Sequence, residues 1–533
     1  MSSHVLTSLR RAAFVAAVLG AAVFAAPAHA QFACEDASLT WSGIVSGDAA
    51  GYSVAIDGDR AIVGAPFTGD IVPGGGAAHV FERKTDGSWA HVAELIPSAI
   101  YPNGNFGRAV AIDGDVAVCG AALFGRVFVF ERQANGTWLE AALVDAPALQ
   151  TFATGLDVDG GRIAIGYGGN PTFLTSGGVD VYERAGGTWG LAQTVTAIDG
   201  YDPDFGRRVR IEGDRIVAGS PGDDRAAIDA GAAFVFERGG VVWSRTAVLT
   251  APNAAEGDAM GSAVALFDDT VVAGASGRDT AAADGGSALV FDLDPVTGWS
   301  ATAELTSSAT VASDFFGSAL DGDTDRVAVG ASGFDGGASA TGGAALFERD
   351  GSGAWHEVVL FVAEGAPSSA GIGAQNGDCI AVDGGRCLFG ASGAAGSAFA
   401  LDFASFYRGL STVSLAAGGV QSMFLRGSAD LGGDAFLVLG SLTGTSPGVP
   451  LAPGVELPLV VDAYTQLGLA LNSPVAGAFG LLDAEGGWFA QIAVPPGTNP
   501  SFAGKTLHHA YLTIDLATFA VSASDAIALD LVL

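Results

Sequence analysis

With 533 residues, 79 of them glycine, 49% hydrophobic and only 15% charged, the chain is too long for one ordinary domain and too apolar to stay unfolded. A formal charge of −33 makes a surface that as a whole repels nucleic acid and anionic lipid. Solvated acidic surface, cations or basic ligands remain.

In chain order, residues 1–30 are expected to be a signal peptide. Arg10 and Arg11 precede the apolar run Ala12–Ala26, and "PAHA" supplies the small-x-small pattern before Gln31. The run is shorter than the roughly 18 residues that span a bilayer. Phe14 is one place out of register for a twin-arginine signal, and Cys34 lacks the leucine of a lipoprotein site. The reading is an exported chain, secreted, periplasmic or at the cell surface, with no membrane insertion after cleavage. Loss of Arg10 and Arg11 leaves 22 basic against 57 acidic residues, a charge of −35.

From residue 31 the sequence repeats. Asp57, Asp113, Asp159, Glu212, Phe267, Asp323 and Asp383 occupy one position of a turn and stand 46 to 60 residues apart. Seven residues after each comes a glycine, from Gly64 to Gly390, and six before each comes Gly51, Gly107, Ala153, Gly206, Gly261, Gly317 or Gly377. A strand such as "GAAHVFER" follows, then a tryptophan in six of the copies, then another apolar strand. Four short strands per copy, with no helical period, predict an all-β seven-bladed β-propeller over residues 31–409. In "AVAIDGDVAVCGAA", Val110, Ile112, Val116 and Val118 are expected on one face of the hairpin, with Ala109, Ala111, Ala117 and Cys119 on the other, so that bulky and small faces nest between blades. The seventh copy lacks an outer strand. Leu39 lies twelve residues before Gly51, as Leu95, Leu249 and Leu305 lie before Gly107, Gly261 and Gly317, so residues 31–40 are expected to close blade 7.

The pairs Phe106-Gly107, Phe205-Gly206 and Phe316-Gly317, followed by Gly64-Ala65-Pro66 and Gly219-Ser220-Pro221, resemble the FG-GAP repeat of integrin α subunits and of many secreted bacterial proteins. The resemblance covers about residues 31–409. It implies a protein that binds a ligand or partner, commonly in adhesion, through loops on one face of the ring. It also raises calcium, which such blades often hold in a D-x-D-x-D-G loop because the ion needs six to eight oxygens. Most turns here are the shorter "IDGD", but "LDGDTDR" sets Asp321, Asp323 and Asp325 at alternate positions, the candidate calcium ligands. Loops carrying Asp223, Asp224 and Asp229, and Asp279 and Asp284, add carboxylates that either hold cations or face solvent.

From Leu410 to Leu533 the repeat gives way to apolar runs between Gly and Pro turns, read as a separate β-sandwich domain. "GTSPG" fits G-x-S-x-G around Ser446, but Pro447 and Pro450 forbid the helix a nucleophile elbow needs. Adjacent His508 and His509 in a strand point to opposite faces. Four cysteines leave pairings open: Cys379 with Cys387 across the blade 7 turn, or Cys34 with blade 7, while Cys119 reads as a buried free thiol. The leading expectation is a secreted or surface binding protein, not an enzyme, contacting a protein or glycan. The alternatives are a glycan-active enzyme with a propeller-face pocket, which a cluster of His, Arg and carboxylate at the central channel would favour and the scarcity of His and Lys opposes, or a purely structural envelope protein.

Overall fold

Alternation of β-branched and small residues between tight turns yields sheets throughout, and no helix occurs among the described residues. The computed structural model describes residues 37–402, apart from 46, 70–71, 85–87, 122–124, 146–150, 170–173, 198–201, 281–282, 308–309, 335–341, 350–352, 362–378 and 394–396, with 32–33 and the strand segments of the tail. The expected signal segment, Cys34 and Ser446 lie outside these residues.

One compact unit spans Glu35–Asp402. Blade 1 consists of Ser53–Asp57, Arg60–Ala65, Ala77–Arg83 and Trp89–Leu95, each paired antiparallel with the next. The same plan recurs at 106–145, 151–195, 208–249, 260–305 and 316–361. Blade 7 contributes only Ile380–Asp383, Arg386–Ala391 and Ser397–Asp402. Its fourth strand is Ala37–Leu39, paired antiparallel with Ala400, Phe399 and Ala398. First strands of successive blades touch all the way round, the seventh meeting the first, which makes a closed ring of seven.

Core side chains sit between blades. The two-residue turn at Gly114-Asp115 pairs Val110 with Cys119, Ile112 with Ala117 and Ala111 with Val118. Directly paired residues share a face, so each face mixes bulky residues of one strand with small residues of its neighbour. This corrects the expected split into a bulky and a small face. Val110, Ile112, Ala117 and Cys119 pack toward blade 1 with Ile62 and Phe128, while Ala109, Ala111 and Val118 pack toward blade 3 with Leu156 and Ile163.

Leu39 fills the seam between blades 7 and 1 with Val54, Ile56 and Leu388. Just beyond it Trp41 stacks on His79 of blade 1, ring centres 3.7 Å apart. His79 Nδ1 lies 3.2 Å from His91 Nε2, and burial, reinforced by the His91 charge, drops the His79 pKa to about 3. The imidazole is therefore neutral at ordinary pH and serves as a flat apolar seat for the tryptophan.

The tail is β structure in its described strands. Phe406–Arg408, Gly419–Arg426, Gly487–Val494 and Val475–Ala476 form a four-stranded sheet. A six-stranded sheet is built on Thr506–Ile514, flanked by Ala435–Ser441, Val521–Ala523 and Ile527–Val532. His509 in that central strand is buried, and burial lowers its pKa to about 3, while His508 on the other face is half-buried.

Candidate binding face and central channel

Within an antiparallel blade, the turns joining strands 1–2 and 3–4 emerge at one end and all other connections at the opposite end. The ring therefore has a turn face and a loop face. On the turn face each Asp-Gly turn is bonded to its neighbour. The Asp57 carboxylate accepts a hydrogen bond from Gly114 N at 2.6 Å, Asp113 from Gly160 N at 2.8 Å and Asp159 from Gly213 N at 2.7 Å. Asp383 of blade 7 accepts one from Gly58 N of blade 1 at 2.6 Å, so the series runs across the closure. Arginines three residues further on point the same way: Arg60 to Asp115, Arg162 to Asp214, Arg215 to Asp269 and Arg386 to Asp59, all at 3.2–3.3 Å. The "FER" of the third strands pairs in the opposite sense, Arg132 with Glu82 and Arg238 with Glu183 at 3.0 and 2.7 Å.

The candidate calcium ligands fall into this scheme separately. The strand continues through Asp323, which pairs with Arg326, so the alternating carboxylates do not wrap a common point. Asp321 accepts from Val382 N at 2.9 Å, Asp323 from Gly385 N at 3.4 Å, and Asp325, largely exposed, lies 3.7 Å from Arg326. Among the described residues no three His, Cys, Asp or Glu side chains gather around a position for a metal ion. The acidic loops likewise fold on themselves: Asp223 pairs with Arg225 at 2.7 Å, Asp224 accepts from Asp229 N and Asp279 from Asp284 N.

Cys379 and Cys387 are both buried and are not bonded to each other. Cys387 lies opposite Val382, three residues along the strand from Cys379, and three steps of a two-residue alternation put the thiols on opposite faces. The expected diagonal bridge is thus corrected by strand parity. Cys119 is free and buried, its thiol pKa pushed far up by desolvation.

Two residues before the turn mark, the seven blades carry Ala55, Ala111, Asp157, Arg210, Ala265, Asp321 and Ala381. Three polar side chains thus replace alanines on the innermost strands. Arg210 of blade 4 reaches past blade 5 to Asp321 of blade 6, Nε to carboxylate 3.5 Å. Asp157 accepts from Ile211 N at 2.8 Å. Asp157 touches the channel but is enclosed by the ring, and desolvation raises its pKa to about 7 against the opposing pull of Arg210. The sequence reading missed this cluster, although its signal was visible as departures from alanine in the repeat.

On the loop face, a side chain on the glycine of one second strand would run into the FG glycine carbonyl of the next blade: Gly64 into Gly107, Gly219 into Gly261, Gly274 into Gly317, and Gly390 into Gly51 across the closure. The FG glycines themselves have positive φ, +84° at Gly107 and +91° at Gly317. Above this contact the loops expose large apolar side chains, including Phe67, Tyr101, Leu174 and Ile228. Phe67 packs edge-on against Tyr52 at 6.2 Å, and the Arg108 guanidinium lies 5.2 Å from the Tyr52 ring centre. Burial raises the Tyr52 pKa while the charges of Arg108 and Arg208 pull it down.

The FG-GAP repeat family matches residues 34–81, 189–236 and 243–291. Each match begins at an outer strand and runs through the first three strands of the following blade, and in the first match that outer strand is Ala37–Leu39. No curated protein matches the chain. Among solved structures, a protein from Lactobacillus plantarum is 14% identical with a TM-score of 0.41, over 59% of this chain and 86% of that one. Virginiamycin B lyase from Staphylococcus aureus is 9% identical with a TM-score of 0.42, over 68% and 98%. The β-propeller domain of the trilobed protease from Pyrococcus furiosus is 9% identical with a TM-score of 0.37, over 70% and 94%. Likeness at this level carries no argument about activity. What the family match and the closed ring establish together is that this chain carries FG-GAP repeats folded into a seven-bladed β-propeller.

Proposed function

We propose that the protein is an exported binding protein that contacts a protein or glycan partner through the loop face of its propeller. The observation that carries this reading is the placing of exposed aromatic rings: Phe67 and Tyr101, 44% and 41% exposed, stand on loops of one face beside Leu174 and Ile228, whereas the turn face exposes the aliphatic Val241 and Val296. Loops on a rigid ring are free to vary in chemistry, and exposed aromatic side chains are favoured anchors for a partner. The test is a screen of the chain without residues 1–30 against immobilised glycans and envelope extracts, repeated with Phe67→Ala and Tyr101→Ala. A bound partner whose affinity falls about tenfold or more in either variant supports the reading. A partner that is unaffected by either, or none at all, defeats it.

A glycan-active enzyme is the second reading, supported by Asp157, Arg210 and Asp321 at the channel. A carboxyl group with a pKa near neutrality beside a second, Arg-paired carboxylate suits general acid–base chemistry. Release of reducing sugar from a polysaccharide, abolished in Asp157→Asn, is its test.

A further inference from the structure

We propose that the channel mouth on the loop face is an anion site for the carboxylate of a uronic acid in an acidic polysaccharide, an inference that rests on the binding reading above. Its components share one place in the repeat. The residue after the FG glycine is Tyr52 in blade 1, Arg108 in blade 2 and Arg207 in blade 4, with Arg208 following. Arg210 of blade 4 crosses the channel to Asp321, and Arg208, two residues nearer the loop face on the same strand, comes to this mouth, where its charge and that of Arg108 both act on the Tyr52 hydroxyl.

The charge pattern there departs from that of the rest of the ring. Arg60, Arg132, Arg162, Arg215 and Arg238 each hold a carboxylate at 2.7–3.2 Å. Arg108 has no carboxylate partner among the described residues, its guanidinium resting over Tyr52 instead. Arg207, itself exposed, has one in half-buried Asp204 at 3.1 Å, a pair that solvent screening weakens. In a protein with more than two acidic residues for every basic one, gathering arginines at one opening costs mutual repulsion, which a bound anion relieves.

The neighbouring surface narrows the class of anion. Phe67 is 44% exposed and braced edge-on by Tyr52. An aromatic face beside a guanidinium suits the C–H face of a pyranose that also bears a carboxylate, with the guanidinium taking the two oxygens together. A neutral sugar lacks the charge, and a flexible acidic peptide lacks the flat ring.

The experiment is calorimetric titration, at low salt, of the chain without residues 1–30 with oligogalacturonate, with neutral dextran and with polyglutamate. Wild type is compared with Arg108→Gln, Arg208→Gln and Phe67→Ala, each first shown to melt as wild type does. Oligogalacturonate is expected to bind, dextran and polyglutamate to bind far more weakly, and each arginine variant to lose about tenfold or more in affinity. Raising the ionic strength weakens binding further. Absence of oligogalacturonate binding, wild-type affinity in either Arg108→Gln or Arg208→Gln, or tighter polyglutamate binding overturns the inference. If a different ligand still depends on Phe67 while oligogalacturonate fails, the uronate assignment falls and the binding reading stands.

Discussion

The two faces of the ring solve the same problem with opposite chemistry. On the turn face, neighbouring blades are joined by side chains, a carboxylate to an amide and an arginine to a carboxylate. On the loop face they are joined by absence of side chains, glycine against glycine with backbone almost in contact. Polar fastening tolerates the loss of single members, whereas the second-strand glycine is kept in all seven copies even where Ala153 replaces the facing glycine in blade 3. Blade 5 illustrates the first half of that statement: Phe267 stands where the other turns carry an acid, and the ring still closes.

Substitutions can break this contrast in graded steps. Gly274→Val should be the most damaging, because its new side chain meets the Gly317 carbonyl and backbone cannot yield cheaply; a cost of several kcal/mol or failure to fold is expected by denaturant titration. Leu39→Ala empties a site 1% exposed at the closing seam and should cost about 2–4 kcal/mol in the same assay. Asp57→Ala removes one member of the turn series and should cost about 1–2 kcal/mol. Asp325→Ala, on an exposed carboxylate, should leave the midpoint unmoved, and added calcium should not shift melting in either protein. A calcium shift abolished by Asp323→Ala would instead restore a metal loop in blade 6.

A separate effect concerns pH. Asp157 has a folded pKa of about 7, above its unfolded value, so the folded state holds the proton more tightly. Its contribution to stability is complete below the unfolded pKa near 4 and is lost as pH rises toward and through 7. Asp157→Asn, which keeps an oxygen for Ile211 N, should therefore flatten stability between about pH 4 and 7 and stabilise the ring at pH 8. Denaturation midpoints at pH 5 and pH 8 check the sign.

Much of the ring was legible because its steric contacts demand glycine. Gly64, Gly219 and Gly274 recur at fixed spacing since each abuts the next FG glycine, and spacing is what a single sequence displays best. Leu39 keeps the interval of Leu95 because it fills the same position in an outer strand. Side-chain partners were less visible. The turn aspartates could be read as turn formers, but nothing local reveals that their acceptor atoms serve the following blade. Strand parity misled twice, once at Cys379 and Cys387 and once at the hairpin faces, where the pairing sum of a two-residue turn decides which residues stand together. The channel cluster required comparing one column of the repeat across blades, where Asp157, Arg210 and Asp321 replace alanine.

The fastening of blade 7 by the strand Ala37–Leu39 has a kinetic corollary. A bond such as that between Asp383 and Gly58 joins groups 325 positions apart, and the last sheet waits for the first-made segment. Six sheets can zip locally as they are synthesised, but the circle stays open until the strand ending at Asp402 has been made. Assembly should thus end in one slow, long-range step, with exposed strand edges beforehand and strong resistance to unravelling afterwards.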